Sequence, residues 1–332
     1  MRMDTKYLTI EDADLRKAAE IIRAGGLVAF PTETVYGLGG DAMSAQSSVK
    51  IYKAKGRPSD NPLIVHIAKV GDVLRVAESF PDNARKLADA IWPGPMTMVL
   101  PKRAEVPDET TGGLSTVALR CPANEVARRL IEYAGTPLAA PSANISGRPS
   151  PTRWEHVRSD LDGKIDAIII GEPCIGGIES TVIDMTLPDS PQILRPGLIT
   201  PARISEVLGI ACGYDPALAE EADAQTAPKS PGTKYRHYTP RAEMMLYRGD
   251  SSKVREAILE DARALRAQGK RVGTIIYEDG REAAQNLFKD LRQMDEDGVD
   301  IILASALDNS EEINYSVMNR MLKAAGYVVK EA

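Results

Sequence analysis

The stretch Leu27-Val28-Ala29-Phe30-Pro31-Thr32-Glu33-Thr34-Val35-Tyr36-Gly37-Leu38-Gly39-Gly40-Asp41 decides how the chain is read. Its first four residues are apolar and end at a proline, the pattern of a short buried strand. Beyond Pro31 the run opens into hydroxyls and glycines. Glycines let backbone N–H groups approach a ligand closely. The same residues also suit a tight turn in which Thr32 or Thr34 caps a helix, and the local pattern leaves both open. Working outward, short Val/Ile-rich runs bounded by Pro or Gly recur at 63–67, 96–100, 116–120, 167–170, 181–184 and 192–195. Helical patterns fall at 12–24, 48–54, 83–90, 125–134 and 202–208. Leu15, Ala18, Ala19 and Ile22 mark one buried stripe on the first of these. The alternation is too irregular for a doubly wound sheet. It predicts an α/β fold, a twisted mixed sheet with flanking helices.

Past residue 210 the character changes. Residues 215–230 are acidic, Ala-rich and closed by Pro228 and Pro231, which reads as a linker. Strand patterns at 244–247, 272–277 and 300–303 then alternate with helical ones at 253–268, 281–294 and 312–325. That order predicts a small Rossmann-like parallel α/β domain. It lacks both GxGxxG and a Walker lysine, so no nucleotide is assigned to it. The expected organisation is a catalytic domain over 1–210, a linker or lid over 211–241, and the small domain over 242–332.

The chain has 332 residues, 43% hydrophobic and 27% charged, with a formal net charge of -6. This is the composition of a soluble globular protein and disfavours one whose main task is to coat nucleic acid. The three cysteines, Cys121, Cys174 and Cys212, have neither the number nor the spacing of a disulfide framework or zinc knuckle. His66, His156 and His237 form no metal-ligand motif. No apolar run reaches the ~18 residues needed to cross a bilayer, and the N-terminus has no hydrophobic signal core. A reduced, cytoplasmic protein without membrane contact is expected.

Polar clusters follow these apolar runs. Lys53-Ala54-Lys55-Gly56-Arg57-Pro58-Ser59-Asp60-Asn61-Pro62 closes a helix, and the glycine and turn let Lys55 and Arg57 project into one space. Leu138-Ala139-Ala140-Pro141-Ser142-Ala143-Asn144-Ile145-Ser146-Gly147 takes an apolar strand into a loop of small polar residues. Together they supply two cations, a hydroxyl and an amide, the groups suited to phosphate oxygens. No side chain looks like a nucleophile paired with a base. Arg120 and Arg195 each end a β-rich run, where a cation needs an anionic partner or an exit to water. A structural ion pair and a substrate anion both answer that need. The segment Ser230-Pro231-Gly232-Thr233-Lys234-Tyr235-Arg236-His237-Tyr238 gathers aromatic and basic groups that could fold over a site.

Taken in order, the motifs Pro31 to Leu38, Lys55-Gly56-Arg57-Pro58, Asn61-Pro62-Leu63, Trp92-Pro93-Gly94-Pro95 and Pro141 to Gly147 resemble the YrdC-type threonylcarbamoyl-AMP synthases. The Lys234-Tyr235-Arg236-His237-Tyr238 linker and the tail resemble the two-domain form. The resemblance implies that L-threonine, bicarbonate or CO2, and ATP give threonylcarbamoyl-adenylate and pyrophosphate. A separate tRNA-modifying transferase complex then uses the adenylate to make threonylcarbamoyladenosine. It also implies site residues. Lys55, Arg57, Ser142 and Asn144 would be catalytic, around the phosphates. Thr34, His66, Arg120, Ala140 and Ser180 would bind threonine. Arg57, Asn61, Thr116, Ser142, Ser150, Arg195 and Tyr235 would hold the nucleotide. Mg²⁺ would arrive with ATP and need no protein metal site. Some relatives have been regarded as binders of double-stranded RNA, which makes an RNA-binding module the rival reading and weak RNA binding a side property. A carbamoyl-transfer domain of the hydrogenase-maturation type is a second rival. It would come with acylphosphatase and zinc-finger segments, and this sequence contains neither.

Overall fold

The computed structural model describes residues 3–218, 237–308 and 310–332. Two compact units divide the chain, one over Met1–Ser146 and Pro151–Tyr235, the other over Gly147–Ser150 and Arg236–Ala332.

The first unit is built on strands β1 (Lys6–Leu8), β2 (Val28–Phe30), β3 (Gly37–Asp41), β4 (Ile64–His66), β5 (Met96–Pro101), β6 (Thr116–Arg120), β7 (Leu138–Ala139), β8 (Ala167–Ile169), β9 (Thr181–Asp184), β10 (Gln192–Arg195) and β11 (Gly213–Tyr214). They form one sheet in the order β1-β8-β2-β3-β7-β4-β6-β5-β9-β10-β11. Parallel pairs such as β4 with β6 stand beside antiparallel ones such as β5 with β6. This is the expected mixed sheet. The helix Asp12–Arg23 buries Leu15, Ala18, Ala19 and Ile22, and they share one core cluster with Leu130 and Ile131 of the helix Glu125–Ala134.

The glycine-rich run after Thr34 is a strand and not a loop. Gly37 to Asp41 form β3, which pairs antiparallel with β2, Phe30 facing Gly37. A Cβ on Gly39 would lie 2.7 Å from Phe30 Cε1, and one on Gly37 would lie 3.3 Å from Phe30 Cζ. These glycines make room for the Phe30 ring. Neither threonine caps a helix. The helix Ala45–Lys55 is capped by Ser44, whose side chain accepts from the Ser47 amide.

That helix ends at Gly56 in the left-handed conformation, φ 61°. The Arg57 amide bonds back to the Tyr52 carbonyl at 2.9 Å, the closing bond of a glycine-terminated helix. The turn sends Lys55 and Arg57 off the helix in different directions.

The second unit carries β12 (Glu243–Arg248), β13 (Val272–Ile275), β14 (Ile301–Ser305) and β15 (Val329–Glu331) in the order β13-β14-β12-β15. All pairs are parallel, and the helices Ser251–Ala267, Gly280–Glu296 and Glu312–Ala324 connect them. This is the expected small Rossmann-like domain with one more strand. β15 escaped the sequence reading because it is short and carries Lys330 and Glu331, charges that suit an exposed edge. Asp250 and Asp279 cap the first two helices by accepting from two backbone amides each.

Most of the expected lid, including Tyr235, lies outside the described residues. Tyr238 is described: it is buried and stacks on Phe288 at 5.0 Å. Its ring therefore packs inside the second unit. Among the described residues no helix is long and apolar enough to cross a membrane.

Candidate active site

Lys55 joins the two clusters that the sequence set far apart. Its Nζ donates to the carbonyls of Ser142 at 2.5 Å and Asn144 at 2.6 Å, and approaches Asn144 Oδ1 at 3.5 Å. The Lys55 carbonyl accepts from the Ser146 amide at 2.9 Å. Lys55 is buried. An ammonium in that position has geometry as its main effect. It collects carbonyl oxygens that would otherwise face each other, and so sets the path of the loop from Ser142 to Asn144. The other side of this loop is held by the β2–β3 hairpin, where the Ala143 amide donates to the Tyr36 carbonyl at 2.8 Å.

Arg57 points toward Asn61. Its Nη2 lies 2.6 Å from Asn61 Oδ1 and 3.0 Å from the Pro62 carbonyl, and its Nε lies 3.2 Å from the Asn61 carbonyl. Two residues expected at the nucleotide are thus joined, with the guanidinium oriented by the Asn61 and Pro62 oxygens.

The strand register sets out the next group. His66 at the end of β4 pairs with Arg120 at the end of β6, and Arg120 pairs with Thr97 on β5. Thr97 Oγ1 lies 2.8 Å from Ser180 Oγ. Ser180 is gripped in turn by Arg195, whose Nη2 donates to its carbonyl at 2.9 Å and its hydroxyl at 3.1 Å. Neighbouring strands lie about 4.8 Å apart, so the register alone places His66, Arg120 and Thr97 side by side. Ala140 follows β7 and donates its amide to the Ile64 carbonyl at 2.8 Å.

Arg120 is buried, its side chain 4% exposed. Its Nη1 donates to Thr34 Oγ1 at 2.9 Å. The Thr34 hydroxyl lies 2.9 Å from Thr32 Oγ1, which donates to the Val35 carbonyl at 2.6 Å. The chain of donors runs one way, so Thr34 accepts from Arg120 and donates to Thr32. Glu33 Oε1 stands 2.7 Å from Arg120 Nη2. Burial raises the Glu33 pKa, and the adjacent Arg120 charge together with nearby donors more than reverses this, leaving it below the usual carboxylate range. Glu33 is therefore an anion at neutral pH.

Burial, reinforced by the Arg120 charge, pushes His66 down to about 3. Its imidazole is neutral. With Nδ1 3.2 Å from the Ile64 carbonyl, an oxygen that can only accept, Nδ1 carries the proton and Nε2 is an acceptor. Burial likewise raises the thiols of Cys121 to about 11 and Cys174 to about 12, so neither is a thiolate nucleophile.

The structure thus brings together Lys55 with Ser142 and Asn144, Arg57 with Asn61, and Thr34, Arg120, His66, Ser180 and Arg195 along neighbouring strand ends. Thr116 begins β6, about 13 Å along the strand from Arg120. Ser150 is buried and belongs to the second unit, and Tyr235 lies outside the described residues. Glu33 and Thr97 received no role from the sequence, and Thr32 only that of a candidate helix cap. Glu33 stood inside the opening stretch, but only a partner far along the chain reveals what it does.

A family model described as "Telomere recombination" matches residues 20–197. A second, "Threonylcarbamoyl-AMP synthase, C-terminal domain", matches residues 199–326. A threonylcarbamoyl-AMP synthase of Pyrococcus abyssi is 46% identical over 330 residues, 96% of this chain and 96% of that protein. One from Bacillus subtilis is 41% identical over 341 residues, 97% of this chain and 96% of that protein. The crystal structure of P. abyssi Sua5 complexed with L-threonine superposes with a TM-score of 0.92 at 45% identity, covering 99% of this chain and 100% of that one. On both domains and over nearly its whole length, this chain belongs to the Sua5/YrdC family of threonylcarbamoyl-AMP synthases, in the two-domain form.

Proposed function

We propose that this protein makes L-threonylcarbamoyl-AMP from L-threonine, bicarbonate or CO2, and ATP, releasing pyrophosphate. The supporting observation is the Lys55 clamp, which fixes the Ser142–Asn144 loop at the end of a row of buried polar groups led by Arg120. The threonine amine, once deprotonated, attacks the carbon of CO2 to give a carbamate. A carbamate oxygen then attacks the α-phosphorus of ATP, the bond to the β-phosphate oxygen breaks, and pyrophosphate leaves. Two anions must meet, so positioning and charge screening carry the rate. No protein nucleophile is called for.

Within this reading Arg120 takes the threonine carboxylate and Thr34 orients the guanidinium. His66 offers neutral Nε2 as an acceptor, and Ser180 is held in place by Thr97 and Arg195. Arg57, steered by Asn61, and Ser142 and Asn144, steered by Lys55, face the phosphates. Thr116 adds to the nucleotide contacts of the first unit. Among the described residues no group of three or more acidic, His or Cys side chains stands together as a metal cage. Mg²⁺ would travel with ATP, held by phosphate oxygens and water. The adenylate passes to a tRNA-modifying transferase. The cysteines are free, which suits a reducing, cytoplasmic compartment.

The test is pyrophosphate release with each substrate omitted in turn. Release should require threonine, bicarbonate and ATP together. ATP turnover without threonine, or RNA binding with no nucleotide dependence, would refute the reading. Arg120→Ala should raise the threonine KM at least about tenfold with a small change in the ATP KM, the signature of a lost carboxylate contact.

A further inference from the structure

Arg120 is expected to receive a carboxylate, yet one already stands against it. Its donors divide unequally. Nη1 is committed to Thr34 Oγ1. Nε and Nη2, the edge that grips a carboxylate with two parallel bonds, have no acceptor in hydrogen-bonding alignment. Glu33 Oε1 reaches Nη2 at 2.7 Å, but off that direction. Neither Glu33 oxygen meets an aligned donor. The contact is one of charge, made against an edge whose directed bonds are still open.

The Glu33 backbone is held independently of its side chain. Its carbonyl accepts from the Gly176 amide at 2.8 Å. A Cβ on Gly176 would lie 2.7 Å from that same oxygen, so the two segments are in close contact. The Glu33 side chain is 15% exposed against 4% for Arg120. With the main chain held, displacing the carboxylate from Arg120 calls for rotation of the Glu33 side chain alone.

We propose that Glu33 is the resident counter-ion of Arg120 in the substrate-free protein, and that the threonine carboxylate displaces it from the Nε/Nη2 edge. This rests on the reading of Arg120 as the threonine carboxylate site. Glu33 is then a positioning residue that acts through Arg120. It neutralises a buried guanidinium while the site is empty, and it lowers threonine affinity by the fraction of time it occupies the edge. Two carboxylates on one edge repel, so substrate binding and Glu33 release are linked. Any ligand carrying a carboxylate gains when Glu33 loses its charge. A ligand without one does not.

The experiment is calorimetric titration of L-threonine, L-threoninol and acetate into wild type, Glu33→Gln, Glu33→Asp and Arg120→Ala. In Glu33→Gln the threonine Kd should fall about tenfold or more. Acetate should compete with threonine at lower concentration than in wild type. L-threoninol, which lacks the carboxylate, should show no gain. In turnover the threonine KM should fall while the ATP KM is unchanged, a split that mere loss of packing would not give. Glu33→Asp, one methylene shorter, should tighten threonine in the same direction and serves if Glu33→Gln does not fold. Unchanged or weaker threonine binding in these variants, with Arg120→Ala still abolishing it, overturns the proposal. If Arg120→Ala binds threonine as wild type does, the assignment of Arg120 itself fails.

Discussion

Lys55→Met removes an ammonium and keeps a side chain of similar length. Its effect can be worked from the bonds that Nζ makes. Two short charge-assisted bonds hold the carbonyls of Ser142 and Asn144, and each bond to a charged group contributes roughly 1.5–3 kcal/mol. Loop relaxation and water entry recover part of this, leaving a local cost of about 3 kcal/mol. Since about 1.4 kcal/mol is a factor of ten, opening of the loop should become roughly a hundredfold more frequent. The reporters are the Ala143 and Ser146 amides, which donate to the Tyr36 and Lys55 carbonyls. Their hydrogen exchange should accelerate about a hundredfold. The Leu246 amide, bonded to Val328 in the second unit, is the internal reference and should not change. If the Ser142–Asn144 loop meets the phosphates as proposed, threonine-dependent pyrophosphate release should fall by at least about a hundredfold. Unchanged exchange at Ala143 and Ser146 would show that the ammonium does not hold the loop. Faster exchange with full turnover would separate the loop from the chemistry.

Three further outcomes are expected. Arg57→Ala should lower adenylate formation at least about a hundredfold through lost charge stabilisation, with threonine binding preserved; near-normal turnover would remove Arg57 from the phosphate site. His66, held neutral at a pKa of about 3 in the fold against an ordinary 6.5, takes up a proton only on unfolding between those values. Its contribution to stability is therefore intact above about 6.5 and is lost as pH falls toward 3. Thermal melts should show a loss on acidification that is smaller in His66→Asn, and parallel pH profiles would refute this. Gly39→Ala should destabilise the first unit by about 1–3 kcal/mol through the clash with the Phe30 ring, and an unchanged melting temperature would show that the hairpin has room to spare.

Much was legible along the chain because its signals were local. Apolar runs ending in Pro or Gly placed β2, β4, β5, β6, β8, β9 and β10, and strand-then-helix alternation placed the second unit. The Lys55 and Ser142–Asn144 clusters stood out as polar residues crowded beside glycine at element ends. The glycines of β3 misled for a physical reason. A glycine that admits a ligand and one that admits the ring of Phe30 look alike until the partner strand is known. Glu33 stayed silent for the same reason, since its role depends on an arginine brought close only by folding.

Residue order therefore settled the chemistry on offer: which cations, hydroxyls and amides exist, and that each lies where a strand or helix stops. Tertiary structure settled the pairings. Lys55 meets Ser142 across a separation of 87 residues and Arg120 meets Thr34 across 86. Sheet register and chain crossing set these distances, and no local propensity encodes either. Whether a buried charge faces a carbonyl, a hydroxyl or another charge is decided there.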